Sequence, residues 1–115
     1  MKRLIVMVVC FFLVVGFLTQ ASAYEYPPPF RIKHIKISND TNFHVRAYSD
    51  NPNQWLCHNG QTWGYVNIDS SGFEAKTAVI LLAYSLGRAV QVVTVGKPFM
   101  GRTFCHIEEI KILDQ

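Results

Sequence analysis

Hydrophobic and polar positions alternate along most of this chain, but only after an N-terminal segment that does not alternate at all. Leu4 to Leu18 is an unbroken apolar run apart from Gly16. Further on, the apolar residues Phe30 and Ile32 are followed by Ile35 and Ile37, so the period of two slips at Lys33-His34. This predicts a first strand over 30–38 with a bulge at the slip. Asn39-Asp40-Thr41-Asn42 predicts a turn. Phe43 to Tyr48 predicts a second strand, with Phe43, Val45 and Ala47 on one face and His44, Arg46 and Tyr48 on the other. A loop over 49–61 carries Trp55 and Cys57 among turn formers and leads into a third strand, Thr62 to Asp69. Gly64 in that strand marks a bulge, a weak point or a close backbone approach.

Ser71 to Leu86 predicts the one helix. Ser71-x-x-Glu74 fits a capping box and Gly87 fits a C-terminal stop. Ala89 to Gly96 predicts a fourth strand, 96–102 a loop, and Thr103 to Leu113 a fifth strand. The fold class expected is therefore mainly β with one helix, in the order β-β-β-α-β-β, which is the order of a small OB-fold-like barrel.

The leading run changes what the totals mean. Residues 1–23 read as a secretory signal peptide, with Lys2 and Arg3 before the apolar run and Ala21-Ser22-Ala23 as a cleavage site. The mature chain, 24–115, would be one domain of 92 residues (115 less 23). It would be exported to the periplasm or secreted, and no later apolar run is long enough to span a bilayer. Without Lys2 and Arg3, nine basic residues (11 less 2) face eight acidic ones, a net charge near +1. The nine are scattered, which argues against a nucleic-acid partner.

Cys10 leaves with the signal, and Cys57 and Cys105 then have one possible intramolecular pairing. An exported context favours that disulfide. Cys57-His58 and Cys105-His106 contain the ligand types of a zinc site, but neighbours in extended chain face opposite ways, so no metal is expected. No nucleophile elbow, phosphate loop or metalloprotease motif is present, and Glu108-Glu109 would point to opposite faces. No nucleophile–base set can be assembled from spacing alone. The expectation is a protein that is not an enzyme and uses no cofactor.

Aromatic residues are many for a chain this short, and flat rings suit the apolar face of a sugar. Trp55, in a polar loop, either binds a ligand or covers the disulfide, whereas Trp63 and Tyr65 share a strand face and read as packing. Candidate glycan contacts are Trp55, Asn53, Tyr48 and Phe99. The helix segment Ala78-Val79-Ile80-Leu81-Leu82-Ala83 is apolar all round, more than a small domain can bury. Ala78, Val79 and Leu82 are therefore expected to meet another subunit.

The passage from helix to strand, Leu81-Leu82-Ala83-Tyr84-Ser85-Leu86-Gly87-Arg88-Ala89-Val90-Gln91-Val92, fits the pattern A-x-x-x-G-[KR]-x-V-x-V. With the element order and the cysteine placement, it resembles the small B subunits of bacterial A–B toxins, in the subtilase-cytotoxin and pertussis-like branch, over Ile32 to Leu113. The resemblance implies an OB-fold homopentamer whose helices line a pore, a catalytic A subunit as partner, and binding of host glycans, often sialylated. That family's sugar pocket uses a serine near the mature N-terminus. Tyr24-Glu25-Tyr26-Pro27-Pro28-Pro29 has none, so no sugar contact carries over. The alternative is a periplasmic or secreted protein-interaction module with no toxin partner.

Overall fold

A computed structural model describes residues 23–39, 41–51, 53–57 and 62–114. The expected signal peptide, apart from Ala23, lies outside the described residues, as does His58. The strands are β1 (Tyr24–Glu25), β2 (Phe30–Arg31), β3 (His34–Ile37), β4 (Val45–Tyr48), β5 (Trp63–Val66), β6 (Ala89–Phe99) and β7 (Arg102–Ile112); the helix α1 is Phe73–Leu86. The described residues are thus mainly β with a single helix. One mixed sheet runs β1-β6-β7-β5-β4-β3, and β2 also pairs with β6. Every pairing is antiparallel except β5 with β7, which meet at Tyr65 and His106.

The phase slip at Lys33-His34 is not a bulge. It is where the chain changes partner. Phe30 and Arg31 pair with Val90 and Ala89 of β6, whereas His34 to Ile37 pair with Tyr48 to Val45 of β4. Side-chain alternation is set by the partner strand, so a change of partner resets it. The irregularity in pairing sits instead between Val93 and Thr94 of β6.

The expected loop over 96–102 is also corrected. β6 and β7 continue as a hairpin to the pair Phe99–Arg102, and the turn is only Met100-Gly101. Both turn residues have positive φ, 49° and 78°, the geometry that matches strand twist in a two-residue hairpin. Gly96 and Pro98 look like loop punctuation in sequence but lie within the ladder.

Helix α1 starts two residues later than Ser71. Gly72, at φ 69°, is the N-cap, and no side-chain capping bond forms, so the capping box is absent. The C-terminal stop is as expected: Gly87 is left-handed, its N–H donates to the Tyr84 carbonyl and that of Arg88 to Ala83. Ile80 and Ala83 are buried, while Ala75, Ala78, Leu81, Leu82 and Leu86 are exposed. The all-round apolar pattern therefore resolves into an inner stripe on the core and an outer stripe facing solvent.

One face of the sheet and the inner stripe of α1 enclose the main core, including Val45, Ala47, Val66, Val92, Cys105 and Ile107. Alternation sends Tyr65 and Phe104 to the opposite face, where they meet Phe43 in a second cluster. Phe43 was expected beside Val45 and Ala47. β4 begins only at Val45, so Phe43 is free of the strand's alternation and turns to the other side.

Cys57 and Cys105 form the disulfide, with Cα atoms 5.3 Å apart. It ties the 53–57 segment to β7, and the Thr94 hydroxyl donates to Cys57 Sγ at 3.3 Å. Between them, Trp55 fills the core at 2 % exposure. Its ring meets Phe30 edge-on at 5.0 Å, and its indole N–H donates to Ser49 Oγ at 3.2 Å. A Cβ on Gly64 would collide with the Trp55 ring. Of the roles open to Gly64, close approach is the one the fold uses.

Candidate functional site

The second face carries a band of rings built by strand periodicity. In β4, Val45 and Ala47 are buried in the core, so Arg46 and Tyr48 must point the other way. Register then places Tyr48 opposite Trp63 and Arg46 opposite Tyr65. His34 is paired with Tyr48 from the other side and stacks on it, centroids 4.0 Å apart and planes within 19°. Tyr48 approaches Trp63 at 6.3 Å, and Trp63 lies nearly parallel to Phe104 at 5.5 Å. Phe43 contacts Trp63 edge-on at 5.2 Å and Phe99 at 5.4 Å, joining the turn before β4 to the hairpin end.

Arg46 lies over this band, its guanidinium carbon 4.7 Å from the Trp63 ring centre and 5.4 Å from that of Phe43. The positive charge sits on the negative faces of the rings. Among the described residues, no ion pair or hydrogen bond holds it. Arg46, Trp63, Tyr48 and Phe99 are partly exposed, whereas Phe43, Tyr65 and Phe104 beneath them are buried. The arrangement is a preformed aromatic floor with one guanidinium fork at its surface. It can stack on a flat apolar face and donate to oxygen acceptors around it.

The four expected contacts separate. Tyr48 and Phe99 belong to this band. Asn53 is exposed in the 53–57 segment, its N–H donating to Asn51 Oδ1 at 2.9 Å. Trp55 presents no ring to solvent, since it plugs the core over the disulfide segment; the covering role is the one the fold gives it. Its neighbours are polar in sequence, yet the polar side chains are themselves used up: Gln54 is buried and donates to the Pro28 carbonyl. Trp63, read from sequence as packing, does pack against Phe43 and Phe104 but is also partly exposed in the band, and Arg46 is the member that sequence reasoning did not single out. The signal was present in the alternation of Arg46 and Tyr48 away from Val45 and Ala47, but it required knowing which strand lay next to β4.

At its far end the band reaches Tyr65 and His106, 5.2 Å apart. Burial, together with the carboxylates of Glu108 and Asp69, pushes the Tyr65 phenol up to about 12. Burial lowers His106 from its ordinary value, and Lys97 and Lys76 act in the same direction, against the raising effect of the Glu108 carboxylate. The balance of these effects favours the neutral imidazole.

A larger cavity than the one beside His106 lies elsewhere, about 660 Å³ in a groove between α1 and the β6–β7 hairpin, with Ala75, Val79 and Ile110 among its walls. Of the expected subunit-contact residues, Ala78 and Leu82 are exposed on the outer stripe and Val79 lines this groove. No helix among the described residues is long and apolar enough to cross a membrane, and the disulfide is compatible with an oxidising environment. Comparison with protein-family models, with curated proteins and with solved structures returned no match, so the band and its guanidinium are interpreted on their own geometry.

Proposed function

We propose that this protein is an exported binding protein of OB-fold type, that it recognises a cell-surface glycan through the aromatic band, and that it assembles as a ring, as toxin B subunits do. The observation that carries the reading is the partly exposed Trp63–Tyr48 floor with the Arg46 guanidinium, which has no hydrogen bond or ion pair among the described residues, above it. The strand pairing supports the fold assignment. If β2 and β3 are counted as one split first strand, the order is first-second-third-fifth-fourth and back to first, with third and fifth parallel. The band then occupies the face of the second and third strands, between the turn before β4 and the β6–β7 hairpin. OB-folds bind oligosaccharides and oligonucleotides there, and the near-neutral charge of the mature chain favours the sugar.

A glycan array probed with the purified protein tests this, with Trp63→Ala as the control. A tryptophan at the centre of such a site contributes about 2 kcal/mol, roughly thirtyfold in affinity. Trp63→Ala is expected to lose at least tenfold for any glycan the protein retains, with its thermal midpoint lowered but the fold kept. Equal binding by the two proteins would remove the band from the site.

Ring assembly, with five copies as the proposed number and a catalytic A subunit as the proposed partner, draws on the outer stripe of α1. Leu82 is 51 % exposed in the single chain, beside Leu81 and Leu86. A second copy covering this stripe would remove an apolar patch that water tolerates poorly. Native mass spectrometry is expected to show a multimer for the natural protein and a monomer for Leu82→Glu. A natural protein that runs as a monomer would end the ring reading and favour a single-chain protein-interaction module.

A further inference from the structure

Spacing in the sequence offers no nucleophile with a base, yet folding assembles one. Ser70 lies in the turn between β5 and α1, and His106 and Glu108 lie on β7. Ser70 Oγ is 2.8 Å from His106 Nε2, and His106 Nδ1 is 2.7 Å from Glu108 Oε1. The Asn67 N–H donates to Ser70 Oγ at 3.0 Å, which commits an oxygen lone pair and leaves the hydroxyl hydrogen for Nε2. The Nδ1 proton then points at Glu108. This is the neutral tautomer with its basic nitrogen facing the serine. The main chain of Ser70 is also clamped: its N–H donates to the Asn67 carbonyl at 2.9 Å, and its carbonyl accepts from Phe73 at 3.2 Å.

The surroundings suit a reaction on the serine. His106 has a side chain only 5 % exposed, so water does not compete for its ring. Ser70 itself is partly open and lines a cavity of about 300 Å³ with His106, Glu108, Lys76 and Lys97. The groups facing His106 are Glu108, Lys97, Lys76 and the Tyr65 ring, with Asp69 across the cavity. The serine stands between a strand and a helix, two residues before a left-handed glycine, Gly72 at φ 69°. The Ser71 N–H, next after the nucleophile, makes no hydrogen bond among the described residues. In serine hydrolases of the strand–turn–helix type, that amide position helps to hold the oxyanion.

We propose that Ser70, His106 and Glu108 form a hydrolytic relay acting on short-chain carboxylic esters of hydroxylated alcohols. The cavity admits a small acyl group, and its polar, two-lysine lining suits an alcohol rich in hydroxyls. Ser70 Oγ bonds to the acyl carbon as its proton passes to His106 Nε2. The ester C–O bond breaks, and the leaving oxygen takes that proton and departs as the alcohol. Water then attacks the acyl-serine, giving its proton to Nε2. The carboxylic acid leaves and Ser70 recovers its hydrogen. Ser71, Lys76 and Lys97 line the same cavity, so that the Ser71 N–H and the two ammonium groups are the donors available to the negative charge that develops on the carbonyl oxygen. Glu108 touches the imidazole and not the substrate, so it is a positioning residue. None of these residues is asked to bind the glycan, so the relay and the band stand or fall separately.

The test is turnover of p-nitrophenyl acetate by the purified, disulfide-intact protein, with a fluorophosphonate probe located by peptide mass spectrometry. The probe is expected on Ser70, and turnover is expected to fall at least a hundredfold in Ser70→Ala and in His106→Gln. Glu108→Gln is expected to move the acid limb of the rate profile to lower pH, because loss of the carboxylate makes His106 harder to protonate. Should Ser70→Ala fail to fold, Ser70→Cys serves: iodoacetamide is expected to alkylate it at least tenfold faster at neutral pH than Ser71→Cys, through thiolate formation beside the imidazole. An unlabelled Ser70 with equal turnover in the natural protein and Ser70→Ala would overturn the proposal, as would equal alkylation of the two cysteine variants.

Discussion

Trp55→Ala is expected to cost about 3–5 kcal/mol, because it empties a fully buried tryptophan from a core that cannot close over the space. Small domains have only about 5–15 kcal/mol in total, so the variant should stand near the edge of folding. Three features of the site make the loss large. The ring is 2 % exposed, it packs edge-on to Phe30, and the backbone of β5 comes close to it at Gly64. Its N–H also satisfies Ser49 Oγ, which is itself buried. Taking about 4–8 °C of melting temperature per kcal/mol for a domain of this size, the midpoint should fall by more than about 12 °C. Thermal melting followed by far-ultraviolet circular dichroism checks this. A variant that melts with the natural protein would mean that Trp55 is not in the core. The same experiment separates the two tryptophans: Trp63→Ala should affect the ligand site first and stability second.

Loss of the disulfide is the second large effect. Cys57 and Cys105 are 48 residues apart, and for a closed loop of this length the chain-entropy model gives about 4 kcal/mol. The bond also holds the 53–57 segment, and hence Trp55, against β7. Replacing both cysteines with alanine should therefore weaken the same core that Trp55→Ala empties, and the two changes should not add independently. Urea titration is expected to show a midpoint well below that of the natural protein, and dithiothreitol should lower the natural protein towards it. Identical midpoints with and without reductant would show that the bond does not contribute to stability in solution.

Some features were legible locally. Gly87 stops the helix because a left-handed residue is needed where Ala83 and Tyr84 still offer carbonyls, and glycine adopts that conformation without strain. The alternation of Val45 and Ala47 against Arg46 and Tyr48 shows two faces in any β pairing. The expected bridge between Cys57 and Cys105 is the one the fold forms. Other features misled because their meaning depended on distant chain. Ser71 and Glu74 have capping-box spacing, but Gly72 takes the N-cap. Gly96 and Pro98 punctuate a sequence that the β7 ladder nevertheless carries through to Phe99. Trp55 sits among polar residues, and only the approach of Gly64, Phe30 and Ser49 from elsewhere in the chain makes its site a core.

The candidate sites divide in the same way. Arg46 and Tyr48 could be placed on one face from sequence, but their meeting with Trp63 needs the register of β4 against β5. Ser70 and His106 are 36 residues apart and come within hydrogen-bond reach because β5 lies parallel to β7 at Tyr65 and His106. By itself the sequence determined the mainly β class with one helix over the described residues, and the helix stop. Each rests on interactions within a few residues or on composition. Tertiary structure alone decided that strand one divides between two partners, which tryptophan is core, and which polar groups converge. Those depend on pairing register, where a slip of one residue reverses every face.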